Sequence, residues 1–316
     1  MSDQLPHGQH GGAHVPLLEV DHVVVQFGGV TAVNEASFVA EAGQVTGLIG
    51  PNGAGKTTCF NVISGLQKPT RGKVRFRGRS VTGAPVHRRS KRGMGRTFQR
   101  LEAFGSLTVR DNVRVAHDIH RGIVGLLRPG AKDIDALLER VGIAEYADER
   151  ADSIPTGTAR LLELARCLAG DPQLLLLDEP SSGLDESETD DFGDLLRDLA
   201  AEGRGILMVE HDMDLVMGVC DTIHVLDFGS VIASGAPGDI RRDPAVQRAY
   251  LGYSDEVPEH ELVGASTGAH VGTHVSAVEE TRTDLVPVGA ATDATTVIPV
   301  VPAAPPVPSH GQEPPR

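Results

Sequence analysis

Residues 50–57 read GPNGAGKT, which satisfies the pattern G-x-x-x-x-G-K-[ST] between a short apolar run and a stretch of helical character. The preceding VTGLI (45–49) is β-prone and flanked by Gly43 and Gly50. The following KTTCFNVIS (56–64) places Cys59, Phe60, Val62 and Ile63 on one helical face. Strand, glycine loop and helix therefore follow one another. Glycine removes the Cβ atoms that would hold an anion away, successive N–H groups form a concave donor surface, and the helix N-terminus adds partial positive charge. The closely spaced phosphates of a nucleoside triphosphate need this arrangement. Gly50, Pro51, Asn52, Gly53, Ala54, Gly55, Lys56, Thr57 and the adjoining Thr58 form the expected ATP cradle. Lys56 is expected to reach the β and γ phosphates, and the Thr57 hydroxyl to ligate Mg2+.

The rest of the chain bounds this reading. Its 316 residues hold one large or two small domains, and a hydrophobic content of 40% is ample for a core. The opening MSDQLPHGQHGGAHVP lacks the basic and apolar regions of a signal peptide, and no run of about 18 apolar residues offers a membrane span. The expected location is therefore the cytosol. Cys59, Cys167 and Cys220 form neither a CxxC pair nor an even disulfide set, so reduced, mostly buried thiols are expected.

Charge is unevenly placed. From 254 to 316 there are nine prolines, no aromatic residue, and nine acidic side chains against two arginines, the composition of a disordered tail. That leaves residues 1–16 as a flexible start and 17–253 as the folded part. Within it, residues 68–100 carry twelve Lys or Arg and no Asp or Glu. Lys73, Arg75, Arg77 and Arg79 alternate around Val74 and Phe76 like the outer face of a β-hairpin. The cluster His87-Arg88-Arg89-Ser90-Lys91-Arg92 is less regular and offers itself to anionic lipid head groups or nucleic acid. No aromatic interleaving supports base stacking, so no nucleic-acid partner is expected.

About 120 residues after the glycine loop, LLLLDEP (174–180) reads as a buried parallel strand ending in two carboxylates at the mouth of an open sheet. Asp178 is placed to hold Mg2+ through its water shell. Glu179 is placed to direct a water at the γ phosphate. A third run, GILMV (205–209), ends in Glu210-His211-Asp212 and brings His211 to the same mouth, where an imidazole can hydrogen-bond the γ phosphate.

Together these motifs resemble the ATP-binding cassette family, the ATPase subunits of ABC transporters, from about residue 17 to 253. Thr97-Phe98-Gln99 looks like the family's Q-loop, with Gln99 a Mg2+ ligand and catalytic contact. Ser181-Ser182-Gly183-Leu184-Asp185 looks like its D-loop, His211 like its switch histidine, and Phe27 stands where an aromatic ring meets adenine. The resemblance implies an α/β P-loop NTPase cassette with an antiparallel β subdomain and a helical signature lobe at about 105–166. It also implies head-to-tail pairing with a second ATPase subunit, sister or self. In that pair each ATP lies between one phosphate loop and the partner's signature segment.

The signature is where the chain departs from the family. Ile154-Pro155-Thr156-Gly157-Thr158 stands in place of Leu-Ser-Gly-Gly-Gln, and Pro155 offers neither the hydroxyl nor the amide donor of the replaced serine. Thr156 or Thr158 is a candidate substitute, with Asp185 also facing the partner's ATP. Two readings of Pro155 stand together: a weakened opposite site, and a structural role at the first turn of the next helix.

Within the family, Phe27-Gly28-Gly29-Val30, Arg96-Thr97-Phe98-Gln99, His211-Asp212-Met213-Asp214 and Val246-Gln247-Arg248-Ala249-Tyr250-Leu251-Gly252 are similar to the ATPases of branched-chain (hydrophobic) amino-acid importers. The segment 112–153 is shorter than usual for that group. This resemblance implies permease subunits in the membrane, an extracytoplasmic substrate-binding protein acting through them, and a peripheral place on the cytoplasmic face of the cell membrane. Two alternatives are an ATPase of a lipid or small-polar-solute system and a soluble cassette acting on ribosomes or DNA. Against the latter, the chain has a single phosphate loop and no sustained heptads.

Overall fold

The computed structural model describes residues 14–98, 102–126 and 133–251, all within the unit Met1–Pro258. Gln99, most of the expected flexible start and the whole acidic tail lie outside the described residues. In chain order the elements are β1 (Leu18–Phe27), β2 (Val30–Ala40), β3 (Val45–Ile49), α1 (Lys56–Ser64), β4 (Arg71–Phe76), β5 (Arg79–Ser80) and α2 (Val86–Ser90). They continue with β6 (Met94–Arg96), α3 (Val109–Leu126), α4 (Ile134–Val141), α5 (Thr156–Ala169), β7 (Leu174–Asp178), α6 (Glu186–Ala201) and β8 (Gly205–Val209). Last come α7 (Met213–Val219), β9 (Thr222–Asp227), β10 (Ser230–Gly235), α8 (Pro237–Ile240) and α9 (Pro244–Leu251).

The central sheet has the order β10-β9-β3-β8-β7-β6 among the described residues, parallel throughout except for the antiparallel edge pair β9–β10. Strands β3, β7 and β8 are buried at every position, because both faces of the sheet are covered. The period of two divides their side chains between two cores. Leu175, Leu177, Ile206 and Met208 join one core with α5, α6 and α7, while Leu174, Leu176, Leu207 and Val209 join the other. Each leucine buried in this way contributes about 1.5–3 kcal/mol. The second core also holds Phe60 and Ile63 of α1 and the inner face of an antiparallel sheet, β2-β1-β4-β5. Helices α3, α4 and α5 pack together as a lobe through Val109, Val113, Leu138, Val141 and Leu162.

The basic stretch divides once it is folded. Strands β4 and β5 pair as the expected hairpin, with Val74 and Phe76 buried and Arg75 paired with Glu19 and Asp21. Arg89 does not face outward, although the sequence placed it in a surface cluster. It is 1% exposed, and its guanidinium donates to the carbonyls of Val62 (2.7 Å), Ile63 (2.5 Å), Thr82 (3.0 Å) and Ala84 (2.9 Å). Two of these are among the last carbonyls of α1, which lack partners within the helix, and a cation there is also favoured by the negative end of the helix dipole. Burial lowers the Arg89 pKa to about 10, with Arg92 adding to the shift.

The three thiols are free. Burial pushes each of them up to about 12, which leaves them unreactive.

Candidate functional site

The phosphate loop joins β3 to α1 at the middle of the sheet, between β8 and β9. Gly55 caps α1 with φ of 100°, and a Cβ there would lie 2.4 Å from the Ala32 carbonyl oxygen, so β2 backs the loop too closely for any side chain. Lys56 is the first residue of α1 and folds back over the loop, its Nζ donating to the carbonyls of Gly50 (2.6 Å) and Pro51 (2.9 Å). Burial lowers its pKa, against the attraction of Glu179 and Asp178. Asn52, Gly53, Lys56, Thr57, Thr58 and Glu179 are among the residues lining a cavity of about 300 Å³. Amide and ammonium donors thus share the cavity with a carboxylate, at the lower end of ligand-pocket sizes.

The carboxylates arrive from β7. Asp178 is its last residue, 3% exposed, and Glu179 follows with φ of 49° while its N–H donates to the Val209 carbonyl at 2.9 Å. A left-handed glutamate is uncommon, and at this position the turn carries its side chain to the cavity. Burial pushes the Asp178 carboxyl above its usual range, while the neighbouring Arg96 guanidinium, 3.1 Å away, pulls it back. Strand β8 lies between β3 and β7, so the residues after it emerge between the phosphate loop and Asp178. Of these, His211 is 74% exposed at its side chain and does not line the cavity.

Phe27 ends β1, is 51% exposed, and also lies outside the cavity lining. The signature residues separate by burial. Pro155 and Thr156 are exposed at the start of α5, whereas Gly157 and Thr158 are buried. Thr158, expected as a substitute donor toward a partner, is thus only 5% exposed and packs within its own chain. A Cβ on Gly157 would lie 2.7 Å from the Gly183 carbonyl oxygen, so the signature helix and the D-loop segment touch backbone to backbone. Pro155 is the N-cap residue of α5, and its carbonyl accepts from Ala159 N–H at 2.9 Å. Asp185 has a local task as well. It caps α6 through a capping box with Glu188, a pattern worth about 1 kcal/mol.

Three contributors escaped the sequence reading of chemistry. Glu210, 2% exposed, accepts from the N–H (2.8 Å) and hydroxyl (2.7 Å) of Ser181, tying the turn after Glu179 to the end of β8. Arg96 engages Asp178. Burial pushes the Tyr250 phenol above its usual range, and a hydrogen bond with the Gly50 backbone pulls it partly back, which brings α9 to the phosphate loop. Only the position of Glu210 at the end of an apolar strand signalled any of these in advance.

The donor set fits Mg2+. The Thr57 hydroxyl and the Asp178 carboxylate are hard oxygen donors, and Mg2+ takes few protein ligands while keeping water and phosphate oxygens. No group of three or more His, Cys, Asp or Glu gathers as a metal cage among the described residues.

Comparison with known proteins agrees with this geometry. Residues 33–182 match the family model described as ABC transporter, and residues 230–256 match that for the branched-chain amino acid ATP-binding cassette transporter. The chain is 41% identical over 250 residues to the high-affinity branched-chain amino acid transport ATP-binding protein LivG of Salmonella typhimurium, covering 75% of this chain and 98% of that protein. It is 40% identical, with the same coverage, to the corresponding protein BraF of Pseudomonas aeruginosa. Among solved structures, an ABC-transporter ATP-binding cassette in its ADP conformation superposes with a TM-score of 0.67 at 28% identity. That match covers 76% of this chain and 100% of the cassette.

Proposed function

The chain belongs to the ABC transporter ATP-binding family, and we propose that it is the ATP-hydrolysing subunit that energises import of branched-chain or other hydrophobic amino acids. The ABC-cassette fold, the phosphate-loop cavity that Lys56 and Glu179 line together, and the 98% coverage of LivG support this reading. The cavity carries the chemistry: donors for a triphosphate and a carboxylate base face one space.

In the proposed reaction, loop amides, the α1 N-terminus and Lys56 bind the β and γ phosphates, and the Lys56 ammonium exchanges its loop carbonyls for phosphate oxygens. Thr57 and Gln99, with Asp178 acting through the water shell, would hold Mg2+, which when bound would offset charge on the phosphate oxygens. Glu179 orients a water and takes its proton as the water oxygen bonds to the γ phosphorus and the bond to the β–γ bridging oxygen breaks. His211 hydrogen-bonds the γ phosphate, and Phe27 packs on adenine.

A second cassette completes the site head to tail, presenting Pro155, Thr156 and the D-loop around Asp185 to the opposite nucleotide. Of the two signature threonines, Thr156 is the exposed one and is the proposed donor to the opposite nucleotide. No helix among the described residues is long and apolar enough to cross a membrane, and the proposed attachment is peripheral, through permease subunits on the cytoplasmic face. An extracytoplasmic binding protein delivers the substrate. The test is to isolate the tagged chain from membranes, identify its attached subunits, and measure ATP hydrolysis with and without leucine and the binding protein. Stimulation by leucine is expected; a complex that ignores branched-chain amino acids overturns the importer assignment.

A further inference from the structure

Arg96, the last residue of β6, stands where three elements of the nucleotide site meet. Its Nη1 donates to Asn61 Oδ1 at 2.8 Å and Ser64 Oγ at 2.7 Å, both on α1, the helix that begins with Lys56 and Thr57. Its Nη2 donates to Asp178 Oδ2 at 3.1 Å. The guanidinium carbon lies over the Phe60 ring at 5.8 Å and over the Phe98 ring at 5.1 Å, so Phe98, the residue before Gln99, is engaged as well. Both charges are buried, with side chains 9% and 3% exposed.

Such a pair is a poor source of net stability, since the cost of taking two ions out of water offsets most of their attraction. What a buried guanidinium supplies is direction. Its planar fork fixes several acceptors at once, which lysine or an apolar residue cannot do. Here the acceptors belong to the phosphate-loop helix and to the carboxylate at the end of β7. The arginine touches only one oxygen of that carboxylate.

We infer that Arg96 is a positioning residue that sets the Asp178 carboxylate relative to Thr57 and thereby tunes the affinity of the nucleotide site for Mg2+. The inference rests on the reading of Asp178 as the carboxylate facing the metal's water shell. Thr57 rides on α1, and Arg96 anchors that helix and the Asp178 carboxylate to the same guanidinium. This is the arrangement by which outer hydrogen bonds orient the groups that hold a metal.

The test uses the purified full chain and the fluorescent nucleotide mant-ATP, titrated first in EDTA and then at increasing Mg2+. For Arg96→Lys, the expected result is metal-free affinity like that of the unaltered chain and a Mg2+ midpoint raised about 10-fold, the lower end of typical effects of such outer partners. An unchanged midpoint overturns the inference, because a merely structural role would lower stability without moving it. Should Arg96→Lys fail to fold, Asn61→Ala decides. It removes one acceptor and leaves the ion pair, so the midpoint is expected to rise about threefold, and no rise overturns the inference. Failure of the unaltered chain to bind mant-ATP under either condition would instead contradict the ATPase reading itself.

Discussion

Ser181 and Glu210 are joined twice, the Ser181 N–H and hydroxyl both donating to Glu210 Oε1 at 2.8 and 2.7 Å. The other carboxylate oxygen accepts the His211 N–H at 3.0 Å. One buried side chain therefore locks the turn after Glu179 to the segment that carries His211. Replacing Glu210 with Ala leaves buried donors unpaired, at about 1–3 kcal/mol for each one that water does not reach. Expected are a lower melting temperature and a fall in ATP hydrolysis larger than the fall in ATP binding. Equal losses of binding and hydrolysis would contradict this role.

Arg89 satisfies four carbonyls without a carboxylate partner among the described contacts. Lysine keeps the charge but cannot span four acceptors, so Arg89→Lys is expected to destabilise the chain by about 2–4 kcal/mol, within the range for breaking a buried polar network. Urea unfolding measures it. Arg88→Lys, on the exposed side of the same run, is expected to change stability by no more than about 0.5 kcal/mol.

Gly157 leaves no room for a methyl group, because the Gly183 carbonyl and Leu184 Cδ2 lie 2.7 and 3.0 Å from its ideal Cβ. Gly157→Ala is expected to push α5 from the D-loop segment at a cost of about 1–3 kcal/mol. Thermal melting and assembled-complex ATPase rates check it. An unchanged melting temperature would show that the contact is loose.

His224 is 4% exposed and fully engaged, with Nε2 2.9 Å from the Val39 carbonyl and Nδ1 2.8 Å from the Ser234 hydroxyl. Burial lowers its pKa, against the Val39 carbonyl. A histidine depressed in the folded state is neutral there while the unfolded chain takes up a proton below about pH 6.5. Its share of stability is therefore full above the unfolded value and is lost as pH falls toward the folded one. Melting at pH 7.5 and 5.5 is expected to show a smaller acid loss for His224→Gln than for the unaltered chain. Equal losses would contradict the assignment.

How much of this the sequence disclosed depends on whether a property is local. VTGLI, KTTCFNVIS, LLLLD and GILMV match β3, α1, β7 and β8 residue for residue, because a strand buried on both faces and a glycine-bounded helix carry their own boundaries. The carboxylates Asp178 and Glu179 were legible for the same reason, being the first charges after a continuous apolar run. Arg89 was not, since its neighbours are basic and exposed, and only the tertiary approach of the α1 carbonyls makes a buried site for it. Thr158 was read as facing a partner, yet it is buried in the helical lobe, while Asp185 is exposed and caps α6 besides. The aspartate's capping pattern with Glu188 was visible in the sequence, whereas the burial of Thr158 depends on how α5 packs. Arg96 and Glu210 act through residues more than 25 positions away, a separation over which sequence spacing carries no geometry.

Phosphate release from the permease-bound complex, compared between the unaltered chain and Glu179→Gln, tests the central claim most directly. The account predicts that Glu179→Gln retains ATP while its hydrolysis falls about 100-fold or more, the loss expected on removing a positioned base. Hydrolysis at the unaltered rate with glutamine at position 179 would contradict it.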